Sequence, residues 1–355
     1  MTFFIFILWF LLSEAIIFGI RFLLRKKEIP LGGQIGITIG EFLLAIFMAF
    51  MPMAGPMAFR PLHPFMMAMY VALFMDSIAK AIILIVNKFG KKKRSWVFLT
   101  AISLVLGILF LTFGIVNMEI VTPKYHTYSS SKLHNEYKVA FVCDVHIGSS
   151  QEVSTTIKTI NKIKAENPDF TFLGGDIVDE YTKKEDMEQA LSAFKEFSTP
   201  VYFIYGNHDP FGNFSEDDLV ATLHENNIII VKDEYVALAD DLTLFGREDA
   251  SFKDRKPIDE LVNPYPNTYV VLVDHQPTTF KDNCKAGIDL QLSGHIHAGQ
   301  LFPLLEFYSI IAQTYGEYHN DSATMYVSSG ASGWREPLRT SRACHYEIIT
   351  LKPAN

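Results

Sequence analysis

Residues 138–146 read KVAFVCDVH, and the reading of everything downstream turns on them. Val139 to Cys143 form an unbroken apolar run rich in β-branched and aromatic side chains, as in a strand buried on both faces. The run ends in Asp144-Val145-His146. Residues i and i+2 of an extended chain point to one side, so this carboxylate and imidazole can grip one ion. The device recurs. FTFLG (170–174) runs into Gly175-Asp176 with Asp179 three residues on, and VYFIY (201–205) runs into Gly206-Asn207-His208-Asp209. VVLV (270–273) leads to Asp274-His275, and DLQLS (289–293) leads to Gly294-His295-Ile296-His297. Five apolar strands deliver polar ends to one edge, where open α/β sheets bind their ligands. One such end alone is an ordinary turn. Five in order make a candidate metal site.

Outward from these segments, short apolar strands alternate with amphipathic helices from Tyr137 onward, the pattern of an α/β domain. Strands are expected at 137–143, 169–174, 201–205, 269–273, 288–292, 323–328 and 344–351, with helices near 152–166, 184–197 and 216–225 and a hairpin over 228–246. Upstream the chain changes character. Residues 3–20, 33–59, 65–87 and 96–118 are each apolar over about the ~20 residues a helix needs to cross a bilayer. The predicted organisation is a transmembrane region of four helices over 1–118, a polar linker over 119–136, and the α/β domain over 137–355. Pro52 and Pro56 predict a kink or an early stop in the second span.

Charge divides the same way. Residues 1–124 carry 12 Lys/Arg against 5 Asp/Glu, and residues 125–355 carry 19 against 34. An acidic domain repels phosphate backbones, so no nucleic-acid partner is expected. Three cysteines without a C-x-x-C pair give neither a disulfide framework nor a thiolate zinc cage. Arg21, Arg25, Lys26 and Lys27 follow the first span, and Lys88, Lys91, Lys92, Lys93 and Arg94 follow the third. Cations are retained on the cytoplasmic side, which predicts both termini and the α/β domain outside the cytoplasm, whereas a re-entrant second span would put that domain in the cytosol. Glu14, Glu41, Asp76 and Lys80 lie within the spans. They either pair internally, as Asp76 and Lys80 can at i, i+4, or form a polar seam for a headgroup or ion.

The order D-x-H, G-D-x-x-D, G-N-H-D, H, G-H-x-H resembles the calcineurin-like metallophosphoesterase superfamily over about residues 137–352. The tail H-A-G-Q-L-F-P, Tyr315-Gly316, Y-V-S-S-G-A-S-G-W and P-L-R is similar to a membrane-associated bacterial branch with lipid-directed pyrophosphatases and phosphodiesterases. The resemblance implies a two-layer β-sandwich flanked by helices, with two divalent metal ions at the strand ends. Asp144, His146 and His297 would hold the first ion, Asn207, His275 and His295 the second, and Asp176 would bridge them. Imidazole, carboxylate and amide donors without a thiolate suit manganese or iron first and zinc next. Two such ions acidify a water for attack on phosphorus, so no serine or cysteine nucleophile is required. His208 resembles the proton donor to the leaving oxygen, and Asp209 and Asp179 are expected to support it and the ligands.

Substrate contacts are expected from the loop Ser328–Gly333, with Ser329 and Gly330, and from Arg335 and Arg339, because small residues admit a phosphate and arginine holds one bidentately. An ordinary turn with a basic rim is the other reading. The apolar stretch 301–311 either meets a bilayer or packs inward. The expected function is therefore a membrane-anchored two-metal phosphoesterase acting on a phosphodiester, pyrophosphate or phosphomonoester, with a lipid among the candidate substrates. The alternatives are a phosphatase of soluble nucleotides or phosphoproteins, a non-catalytic metal-binding scaffold, and a transporter or receptor worked by the spans.

Overall fold

The computed structural model describes residues 2–24, 29–54, 62–89, 96–320 and 323–354. The chain forms two compact units, Met1–Asn117 with Arg335–Thr340, and Met118–Trp334 with Ser341–Asn355.

The first unit contains α1 (Thr2–Leu24), α2 (Leu31–Ala54), α3 (His63–Phe89) and α4 (Trp96–Glu119). Each is long and apolar enough to cross a membrane. Helix α2 continues through Pro52 to Ala54, so that proline lies in the last turn and does not stop the helix before it. Pro56, Arg60 and the cations Arg25, Lys26, Lys27 and Lys91–Arg94 lie outside the described residues. The intramembrane charges meet one another. Arg21 pairs with Asp76 and donates to Thr100 Oγ1 at 2.7 Å, while Lys80 bridges Asp76 at 3.1 Å and Glu41. Glu14 accepts from Ser103 at 3.0 Å. Internal pairing is thus the arrangement present. The hexapeptide 335–340 belongs to this unit: Glu336 meets His63 Nδ1 at 3.0 Å, Thr340 meets Tyr70 at 3.0 Å, and Arg339 N–H donates to the Gly114 carbonyl.

The second unit is built on two six-stranded sheets. Its elements in chain order are β1 (Val121–Ser130), β2 (Tyr137–Val142), α5 (Val153–Ala165), β3 (Phe170–Gly174), α6 (Lys184–Leu191), β4 (Val201–Ile204), α7 (Glu216–Glu225), β5 (Ile228–Ile230), β6 (Glu234–Ala239), β7 (Leu242–Gly246), β8 (Tyr269–Val273), α8 (Phe280–Lys285), β9 (Leu290–Ser293), α9 (Leu304–Tyr308), β10 (Gly316–Asn320), β11 (Ala323–Val327) and β12 (Cys344–Pro353). One sheet runs β1-β12-β2-β3-β4-β5 and the other β10-β11-β9-β8-β7-β6. Strands β2 to β5 are parallel, as are β7, β8, β9 and β11. Their C-terminal ends therefore face one way in each sheet.

Alternation explains the layering. Val139, Phe141 and Cys143 lie in the core that also takes Val271, Val273 and Leu292 of the other sheet, while Ala140 and Val142 join Ile160, Ile163, Leu191 and Leu219 of the helices. Val270 and Leu272 face a third cluster with Phe280 and Met325. Both faces of the central strands are buried, which is why they read as continuous apolar runs.

Three expectations change. Residues 119–136 are not a linker: β1 pairs in parallel with β12 from Val121↔Cys344 to Ser130↔Pro353. Its exposure alternates along VTPKYHTYSS, as in an edge strand half open to water, and its polar residues hid it. The 228–246 segment is a β6–β7 hairpin preceded by β5, which belongs to the other sheet. The helix expected to reach residue 197 ends at Leu191, in a 3₁₀ turn over Ser192–Glu196.

Candidate metal centre

The strand ends converge. Asp144, His146 and His297 each offer an atom within 4.8 Å of the others, and so do Asp176, His275 and His295. Asp176 Oδ2 stands 3.0 Å from His275 Nε2 and 3.9 Å from His146 Nε2, between the groups. Asp144, His146, Asp176, His295 and His297 all have φ between 45° and 73°. That left-handed region is uncommon for residues with a Cβ, and the concentration of five such residues at three strand ends is the strain that functional sites store.

Hydrogen bonding fixes the imidazoles. His146 Nδ1 faces Asp179 Oδ2 at 3.0 Å, His297 Nδ1 faces the Ser332 carbonyl at 3.2 Å, and His275 Nδ1 faces the Gly174 carbonyl at 2.9 Å. Each partner only accepts, so each Nδ1 carries the proton and, in the neutral ring, leaves a lone pair on Nε2. His146 Nε2 and His297 Nε2 then face each other at 3.2 Å, and His275 Nε2 faces a carboxylate oxygen. Lone pairs converging on lone pairs repel unless a cation or an added proton lies among them. Asn207 Oδ1 is buried without a hydrogen-bond partner among the described residues. The donor set fits a pair of divalent ions, with the oxygen and nitrogen chemistry such ions prefer.

Proton affinities follow the same geometry. Burial opposes charge on His146, yet the bond to Asp179 and the neighbouring carboxylates raise its pKa to about 9. His275 is likewise raised well above its ordinary value, against burial, chiefly by Asp176. Asp176 is buried too, but His275 and His146 hold its carboxyl far below the usual range. Burial followed by the charge of Asp176 raises Asp209 to about 7.

The chain from Tyr137 to Gly299 matches the family model described as calcineurin-like phosphoesterase. Residues 137–299 form a calcineurin-like phosphoesterase domain. The chain is 25% identical to a metallophosphoesterase of Campylobacter jejuni, covering 80% of this chain and 79% of that one. It is 30% identical to a metallophosphoesterase of Helicobacter pylori (strain 26695), covering 63% and 62%. A zebrafish transmembrane protein with a metallophosphoesterase domain is 24% identical, over 72% of this chain and 63% of that one. Among solved structures, a zebrafish dimetal phosphatase aligns with a TM-score of 0.37 at 12% identity, over 55% of this chain and 87% of that one. The family is one of metal-dependent phosphoester hydrolases, and it implies a dinuclear divalent site.

Within the phosphoesterase domain, His208 lies beside the cluster, with its ring 5.6 Å from that of His146. Its N–H donates to Asp176 Oδ1 at 2.8 Å and its Nδ1 faces Glu180 Oε2 at 3.0 Å. Trp334 packs 4.9 Å from the His208 ring. The motif pattern does not single out Glu180 or Trp334; the one signal for Glu180 is a carboxylate directly following Asp179. Asp209, expected beside His208 as a supporting group, binds backbone. Its oxygens accept from the backbone N–H groups of Gly206, Asp176, Ile177 and Val178 at 2.6 to 3.1 Å, so it ties the β3 and β4 loops together.

The expected substrate loop also has another place. Ser329 is fully buried and bonds to the Ala343 carbonyl at 2.6 Å and His345 Nδ1 at 2.8 Å. Gly330 lies against the Asp144 side chain at φ 81°, and Ala331 and Ser332 N–H groups donate to the carbonyls of Cys143 and Asp144. This loop is the floor under Asp144 and His297. Its small residues permit close approach to the Asp144 side chain. Arg339 is completely buried and Arg335 half-buried, both within the helical unit, so Arg339 is no solvated rim.

Proposed function

We propose that this chain is a membrane-anchored phosphoesterase in which Asp144, His146 and His297 hold one divalent ion, Asn207, His275 and His295 hold a second, and Asp176 bridges them. The observation that carries the reading is that the Nε2 atoms of His146 and His275, locked by acceptors on their outer nitrogens, both approach the Asp176 carboxylate, while the similarly locked His297 Nε2 meets His146 Nε2 and Asp144. When bound, the ions supply Lewis acidity to phosphorus-bound oxygens and acidify the attacking water. Asp179, through His146, and the Gly174 and Ser332 carbonyls, through His275 and His297, hold the rings in the ligating tautomer. His208 donates a proton from Nε2 to the leaving oxygen, with Glu180 on Nδ1 stabilising the imidazolium that donates it. Manganese or iron suits this donor set best.

The substrate class is a phosphodiester, pyrophosphate or phosphomonoester borne by a lipid, and the domain acts outside the cytoplasm. Four membrane-length helices and the apolar stretch after His297 support the lipid, and the cations that follow the first and third spans in the sequence support the outside placement. Leu301 and Leu304 of that stretch are buried, whereas Phe307, Ile310 and Ile311 are 48%, 78% and 81% exposed. The test is hydrolysis of lipid and soluble phosphoesters by purified protein with and without manganese. Activity should require the metal and vanish together with bound metal in Asp176→Asn. Phe307→Ser with Ile310→Ser should lower lipid hydrolysis and spare a small soluble ester; equal loss on both would favour a soluble substrate.

A further inference from the structure

A cavity of about 850 Å³ opens between the segment following β7 and helix α8, and none of the cluster residues lines it. Arg247, Arg255, Lys256 and Lys285 lie on its wall with Asp259 and Asp282. Lys285 is paired with Asp282 at 2.7 Å, so among the described residues Lys256 is the wall cation outside an ion pair. Arg247 is 2% exposed. Its Nε donates to Asp233 Oδ1 at 2.8 Å and one Nη to the Lys256 carbonyl at 2.7 Å, while Nη1 is buried with no hydrogen-bond partner among the described residues. Arg255 is fixed, with both Nη atoms on the Asp274 carboxylate at 2.8 and 2.7 Å.

A buried guanidinium N–H without an acceptor is a costly arrangement that a ligand oxygen relieves, and a fixed guanidinium loses little freedom when it binds one. Asp233 and Asp274, which neutralise the two arginines, do not line the cavity, whereas the exposed Lys256 does. Phe252, Ile258 and Leu261 give the same cavity an apolar wall. A cationic end, an unsatisfied donor and an apolar side in a space of this volume match a small molecule that is part phosphate and part hydrocarbon. We propose that this cavity is a second site, separate from the metal cluster, that binds an organic phosphate, with its phosphate on Arg247 and Lys256 and its body against Phe252.

The probe is phenylphosphonate, whose phosphorus–carbon bond is not an ester, titrated calorimetrically into the full chain in phosphatidylcholine nanodiscs with manganese. Two sites are expected. Asp176→Asn should abolish one; Lys256→Glu should weaken the other at least tenfold at an unchanged melting temperature. Lys285→Glu, at an exposed position, serves if the Lys256 variant melts early. Inorganic phosphate should bind this second site more weakly than phenylphosphonate. A single site that disappears with Asp176→Asn and ignores both lysine changes overturns the proposal, and equal binding of inorganic phosphate overturns its organic part. Two sites that both survive Asp176→Asn, one of them weakened by Lys256→Glu, would instead overturn the metal assignment and leave this site standing.

Discussion

His208 has Glu180 on one nitrogen and the Trp334 ring tilted beside it at 4.9 Å, and neither group is a candidate ligand. His208→Ala should therefore retain bound metal, measured by elemental analysis, and slow hydrolysis of an alkyl ester by about 10²-fold or more, the usual cost of a lost general acid. An unchanged rate on that ester removes His208 from the mechanism. His146 makes a second prediction. Its folded pKa of about 9 lies above the ordinary 6.5, so in the metal-free protein the proton is favoured. The stability that proton contributes is fully present below 6.5 and is lost as pH rises through about 9. A protonated imidazole cannot ligate, so metal affinity should rise with pH through about 9, with protons released on binding. Calorimetry in two buffers of different ionisation enthalpy measures that release, and flat affinity over the range contradicts the assignment. Gly330 makes a third: its φ of 81° and a Cβ only 2.6 Å from that of Asp144 mean that Gly330→Ala should cost about 1–3 kcal/mol and lower metal occupancy.

At the scale of elements, strand ends and strand bodies carry different information. The apolar bodies of β2, β3, β4, β8 and β9 were legible because both faces are buried, and their polar ends were legible because nothing in a core requires Asp-x-His or Gly-His-x-His. β1 was not legible, since Lys124, His126 and Thr127 look like loop residues until β12 lies beside them. The loop at Ser329 is ambiguous for a related reason: small residues announce a close approach without saying what approaches. Glu180 is not legible, because a carboxylate after Asp179 has no spacing that distinguishes it from a solvated one. The strand assignment of β1 is open to test. Alternate N–H groups of an edge strand face its partner, so of Thr127→Pro and Tyr128→Pro, one removes a ladder bond. That variant should lose about 1–3 kcal/mol of stability in thermal unfolding, whereas in a linker both would be silent.

For the molecule as a whole, the boundary between units does not follow the order of the chain. Residues 335–340 pack with the helices although the chain before and after them belongs to the phosphoesterase unit. Orientation in the membrane is the prediction that belongs here. In sealed vesicles of known sidedness, protease added to the extracytoplasmic face should degrade the phosphoesterase domain and leave the helices, while protection from that face would place the domain in the cytosol. The pairing of β1 with β12 also has a consequence for biosynthesis. β1 follows directly on the fourth helix, yet its neighbour in the sheet is made more than two hundred residues later. Translation therefore runs nearly to residue 353 with that edge unpaired, and the sheet closes only after the ribosome has delivered its final strand.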